Sequence, residues 1–67
     1  MPTITLDSRA IERTPAGTVR EYPATGAWRI IVARSLKGAA RTYYFHGADD
    51  PRIAQSMRRR AADFIKE

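Results

Sequence analysis

A chain of 67 residues without a single cysteine has to hold itself together by packing alone. At this length only about 60% of the surface exposed in the unfolded chain is buried on folding, so the core is thin. Disulfides or a structural metal usually reinforce such small folds. Here there is no cysteine and one histidine, His46. Association with itself or with a larger partner is the reinforcement that remains. One domain, residues 1–67, is expected, because so short a chain cannot be divided into two cores. The missing cysteines argue against a secreted disulfide scaffold and fit a reducing cytoplasm. No apolar run nears the roughly 18 residues needed to span a bilayer. Met1-Pro2-Thr3-Ile4-Thr5-Leu6-Asp7 lacks the basic start and apolar core of a signal peptide. A soluble, cytoplasmic protein with no membrane partner is therefore expected.

The clearest element is the last. Asp49-Asp50-Pro51 reads as a helix start, since an Asp at the N-cap accepts from free backbone N–H groups and Pro suits the first helical position. Ile53, Ala54, Met57, Ala61, Phe64 and Ile65 then recur at three- and four-residue spacing, which predicts a helix over about 51–66 with one apolar face. That face needs a sheet. Ala27–Arg34 is rich in β-branched and aromatic residues, with Trp28, Ile30 and Val32 alternating onto one face. Arg41–His46 is a second strand of the same kind, and Ser35–Ala40, with its glycine, suits a hairpin loop. Thr18–Tyr22 reads as a further strand, bounded by turns at Thr14–Gly17 and Pro23–Gly26. Residues 3–13 read as strand, through Ile4 and Leu6 and then an edge around Ile11 beside Val19. A single helical turn capped by Asp7 or Ser8 is the alternative.

The expected fold is α+β, a three- or four-stranded antiparallel β-meander with the C-terminal helix packed on one face. With Trp28, Ile30 and Val32 against that helix, Arg29 should point away from it. The opposite face, lacking a helix, should be open as a binding surface.

Charge is the second constraint. Twelve Lys/Arg against seven Asp/Glu leave a net charge of +5. Between Glu21 and Asp49 there is no acidic residue, while Arg29, Arg34, Lys37 and Arg41 all fall there. Such a window attracts phosphate backbones and acidic protein surfaces alike. Aromatic faces beside cations stack on unpaired bases; Tyr44 or Tyr43 lies on the open face depending on register, and Tyr44 is the candidate for that role. A two-stranded ribbon can also enter a major groove. A second basic line runs along the helix, where Arg52, Arg59 and Lys66 recur every seven residues on the outward side. Arg58 and Arg60 flank the apolar stripe, where their long stems can cover the edges of the core. Asp63, four residues after Arg59, should partly neutralise it.

Catalytic chemistry finds little to stand on. His46 ends a strand, Asp49 and Asp50 cap a helix, and Ser8, Ser35 and Ser56 lie in no nucleophile-like context. No spacing matches a zinc or calcium motif, and the four glycines sit singly at turns, away from any phosphate-cradling loop. Neither an enzyme nor a cofactor is expected.

The order Trp28-Arg29-x-x-Val32, basic hairpin, aromatic strand, then a helix ending Ala61-Ala62-Asp63-Phe64-Ile65-Lys66-Glu67 resembles the small arm-type DNA-binding domains of phage integrases. In that family a three-stranded sheet enters the major groove with a helix packed behind it. The resemblance covers about residues 26–67, although the stretch from Phe45 to the helix end is longer than the family pattern has. It implies an architecture and transfers no residue roles. The function expected is nucleic-acid binding, DNA ahead of RNA, by a mobile-element or phage regulator through the open sheet face and hairpin tip. The alternative is a small phage-type inhibitor or adaptor docking on an acidic protein or nucleoprotein surface. A homodimer fits either.

Overall fold

The computed structural model describes residues 4–46 and 50–67. Five elements follow in order: α1 (Ser8–Glu12), β1 (Val19–Pro23), β2 (Trp28–Arg34), β3 (Ala40–His46) and α2 (Pro51–Ile65). The strands form one antiparallel sheet in the order β1-β2-β3, an α+β meander with a C-terminal helix as expected. Both hairpins are closed by turn chemistry. Across the β2–β3 turn, Ser35 N–H donates to Ala39 O and Gly38 N–H to Ser35 O, each at 3.0 Å. Gly38 takes φ +90°, the left-handed conformation a three-residue hairpin loop demands. Asp50 caps α2 by accepting from the Arg52 N–H at 3.0 Å, and Pro51 opens the helix. Gly47, Ala48 and Asp49, the first residue of the expected helix start, lie outside the described residues.

Two expectations are overturned, and they are linked. The first concerns the face that meets α2. The core against the helix is built from Ile31, Ala33 and Phe45 with Ala54, Ala61 and Phe64, and Val19, Tyr43, Met57 and Ile65 close its edges. By strand alternation Arg29 lies on that same side, toward α2, while Trp28, Ile30 and Val32 face the other way. The alternation of Trp28, Ile30 and Val32 is real, but Ile31 and Ala33 alternate equally well in the opposite phase. The larger complement of apolar partners (Tyr43 opposite Ile31, Phe45 opposite Arg29) stands on the Ile31 side. Ile53, assigned to the stripe, is 44% exposed at the start of α2.

The second correction concerns the face without α2. Ile30 and Val32 on it are no more than 1% exposed, so it is not open. Residues 4–14 cover it, and they are not a strand. Asp7 caps the short helix α1 by accepting from the Arg9 N–H at 3.0 Å, the alternative weighed for this stretch. Five residues make a helix too short to stand alone, and polar hooks hold it to the sheet. The Tyr22 hydroxyl donates to Ala10 O at 3.3 Å, and Thr14 Oγ1 donates to the same carbonyl at 3.0 Å. Arg34 Nη1 donates to Thr14 O at 2.9 Å and to Glu12 O at 3.4 Å. Thr14 is fully buried. Gly17, at φ +82°, passes so close to β2 that its N–H donates to Arg34 O at 2.8 Å. A Cβ there would stand 2.9 Å from Leu36 Cδ2.

Candidate nucleic-acid interface

The four cations of the acid-free window do not converge. Register explains why. Arg41 pairs with Ala33 and Arg34 with Ala40, which puts Arg41 on the α2 side of the sheet and Arg34 on the α1 side. Arg34 is a structural strut whose Nη1 is engaged by two carbonyls, with Nε buried and without a partner among the described residues. Arg29 is half-buried and donates from Nη1 to Trp28 O at 3.0 Å. The Arg41 guanidinium lies over the Phe64 ring, 4.8 Å from its centroid, and contributes to the packing of α2. Lys37 extends from the hairpin tip as an exposed charge with no ion pair among the described residues. Tyr44 is 42% exposed, but on the α1 side and so away from Arg41. The expected patch of Arg29, Arg34, Lys37, Arg41 and Tyr44 is thus split among both faces and the tip.

The aromatic residues of the window are likewise divided. Phe45 is core beneath α2. Trp28 is half-buried on the opposite face, where its ring meets His46 edge-on at 5.3 Å and 72°. His46 is exposed. Among the described residues no three His, Asp or Glu side chains gather where a metal ion could be held. No helix is long and apolar enough to cross a membrane among those residues.

The second basic line fares better. Arg52 and Arg59 both line one shallow depression of about 210 Å³ on the outer side of α2, with Gln55 and Ser56 between them. The reason is helical geometry: positions i, i+3, i+4 and i+7 share a face, and seven residues rise about 10 Å. All four side chains are exposed, and neither arginine has an ion-pair partner among the described residues. The expected Arg59–Asp63 pair does not form. Asp63 instead joins Arg41, Tyr43, Arg60, Phe64 and Glu67 around a second depression of about 270 Å³, between α2 and β3. Arg58 is neutralised by Glu21 of β1, which it meets through both Nε and Nη2. That contact holds the Arg58 guanidinium above its already high ordinary pKa. Lys66, the third member of the line, is exposed at the C-cap of α2 and does not reach the depression.

Sequence reasoning named Arg52 and Arg59 and missed Gln55 and Ser56, although both lie on the same helical face between the two arginines. The spacing that picked out the arginines would also have found these two polar residues. No protein-family model, curated protein or solved structure matches the chain.

Proposed function

We propose that the protein binds the phosphate backbone of nucleic acid through the outer face of α2. The observation that carries this reading is the pairing of Arg52 and Arg59, both without an ion pair among the described residues, around one depression with Gln55 and Ser56 between them. Arginine, amide and hydroxyl side chains are the groups that contact phosphate oxygens and position a protein on a duplex. A spacing of about 10 Å lets the two arginines reach two different phosphates of one strand. The net charge of +5 adds long-range attraction. The sheet does not supply the surface, because α2 claims one of its faces and residues 4–14 the other. This reading relocates the DNA contact from sheet to helix. In that respect it departs from the integrase arm-type arrangement.

A fluorescence anisotropy titration against a short DNA duplex at several salt concentrations tests it. Each phosphate neutralised contributes nearly one unit to the slope of log K against log salt, so removing both arginines in R52A/R59A should flatten that slope by about two. The fold should be unchanged, since both side chains are exposed. Absence of binding to duplex, single-stranded DNA and RNA at low salt would overturn the reading, and so would a slope that survives the double substitution.

A further inference from the structure

The sheet has two edges, and they are built differently. On β1 the backbone groups of Val19, Glu21 and Pro23 point outward, because Arg34 N–H donates to Thr18 O and Trp28 O accepts from the Ala24 N–H, which fixes the phase of the β1–β2 ladder. Pro23 has no N–H to offer there, and the Glu21–Arg58 ion pair lies along the same strand. Such features blunt an edge against pairing. On β3 the Ser35 N–H bond to Ala39 O sets the opposite phase. Arg41, Tyr43 and Phe45 turn their backbone groups to β2, and Ala40, Thr42, Tyr44 and His46 turn theirs to the outside. This edge runs seven residues with unbroken register, no proline and no bulge, and no described residue bonds to its outward groups.

We infer that β3 pairs antiparallel with β3 of a second copy, about a two-fold axis at Tyr43, to make a six-stranded sheet. The register is self-consistent. A two-fold at Tyr43 sets Thr42 opposite Tyr44 and Ala40 opposite His46 of the second copy, and these are the residues whose N–H and C=O groups are free. Pairing through such positions forms the hydrogen-bonded pairs of an antiparallel ladder. No like charges meet, because Arg41 falls opposite Phe45 of the second copy. The flanking depression, lined by Arg41, Arg60, Asp63 and Glu67, would stand beside the seam. A shared sheet would also enlarge a core that a chain of this size leaves thin. The dimer rests on β3 and the C-terminal half of α2 and is independent of the phosphate-binding reading of Arg52 and Arg59.

Sedimentation equilibrium of the full chain, from micromolar to millimolar concentration, should show a monomer–dimer equilibrium. Two double variants test the register. T42K/Y44K and T42E/Y44E each set like charges directly opposite one another across the axis, and each should weaken the dimer roughly tenfold or more. Mixed in equal amounts, they should form a heterodimer. Amide exchange gives a readout that needs no substitution. In the wild type at high concentration the Thr42 and Tyr44 N–H groups should be protected nearly as well as that of Tyr43, and dilution should expose them. A chain that stays monomeric at millimolar concentration would overturn the proposal. So would a dimer in which those amides exchange freely, or one that both charged variants leave intact. An association that appears only when a different protein is added would assign the edge to another partner's sheet.

Discussion

The two faces of the sheet are both buried, but by opposite means. Under α2 the contact is apolar: Ile31, Ala33 and Phe45 meet Ala54, Ala61 and Phe64, and the contributing helix is long enough to present a full stripe. On the other face Ile30 and Val32 are covered by a segment whose helix has only five residues, held by hydrogen bonds from Tyr22 and Arg34. One side is closed by area and the other by hooks. Hydrophobic area resists loss of any single atom gradually, whereas a hook of this kind fails when one donor is removed. The α2 side should therefore carry the global stability, and the 4–14 side should open locally at lower free energy.

The most disruptive way to probe that difference is Phe64→Ala, which empties the α2 side of its largest helix residue and removes the ring beneath Arg41. A loss of about 3–5 kcal/mol is expected, comparable to the whole stability of a small domain, so urea denaturation should find the variant largely unfolded. Arg34→Ala attacks the hooks instead. Losing a charged donor to two carbonyls should cost about 1.5–3 kcal/mol, and amide exchange should accelerate in residues 9–14 before it does in α2. Thr14→Val keeps the shape of a fully buried residue and removes its bond to Ala10 O, for an expected loss of about 1 kcal/mol in the same denaturation measurement. Glu21→Gln should leave the urea midpoint unchanged within error, because its partner Arg58 is exposed.

A titration probes the hooks without unfolding anything. Hydrogen bonding with the neighbouring Thr14 hydroxyl, aided by Arg20 and Arg13 against the opposing effect of burial, holds the Tyr22 phenol below its ordinary value of 10.0. Ultraviolet titration of the wild type should therefore find one tyrosine ionising early. Thr14→Val should move it up.

The three strands and α2 were legible in the sequence almost to the residue, because their signals are local. Gly38 at the hairpin turn, Asp50-Pro51 at the helix start and the 3.6-residue stripe of α2 each act within a few positions. Which face of the sheet met the helix was not legible from alternation, since Ile30-Ile31-Val32-Ala33 is apolar without a break. That unbroken run was itself the signal of a strand covered on both sides, and it pointed to a second covering segment upstream. The segment was hard to read because five helical residues are too few for a period, leaving the Asp7 cap as its only mark. For the candidate site, the acid-free window from Arg29 to Arg41 was a pattern in sequence that the antiparallel register pulls apart. The Arg52–Arg59 line survived because a helix keeps residues seven apart on one side whatever the tertiary context.

The central claim is that function sits on the outside of α2 and that the sheet is core on both faces. A heteronuclear NMR titration of the labelled chain with a short DNA duplex at low salt tests it directly. The expected result is a set of chemical-shift changes concentrated at Arg52, Gln55, Ser56 and Arg59, with the β2–β3 hairpin around Lys37 little affected. Changes centred on Lys37, Arg41 and Tyr44, with α2 silent, would contradict it.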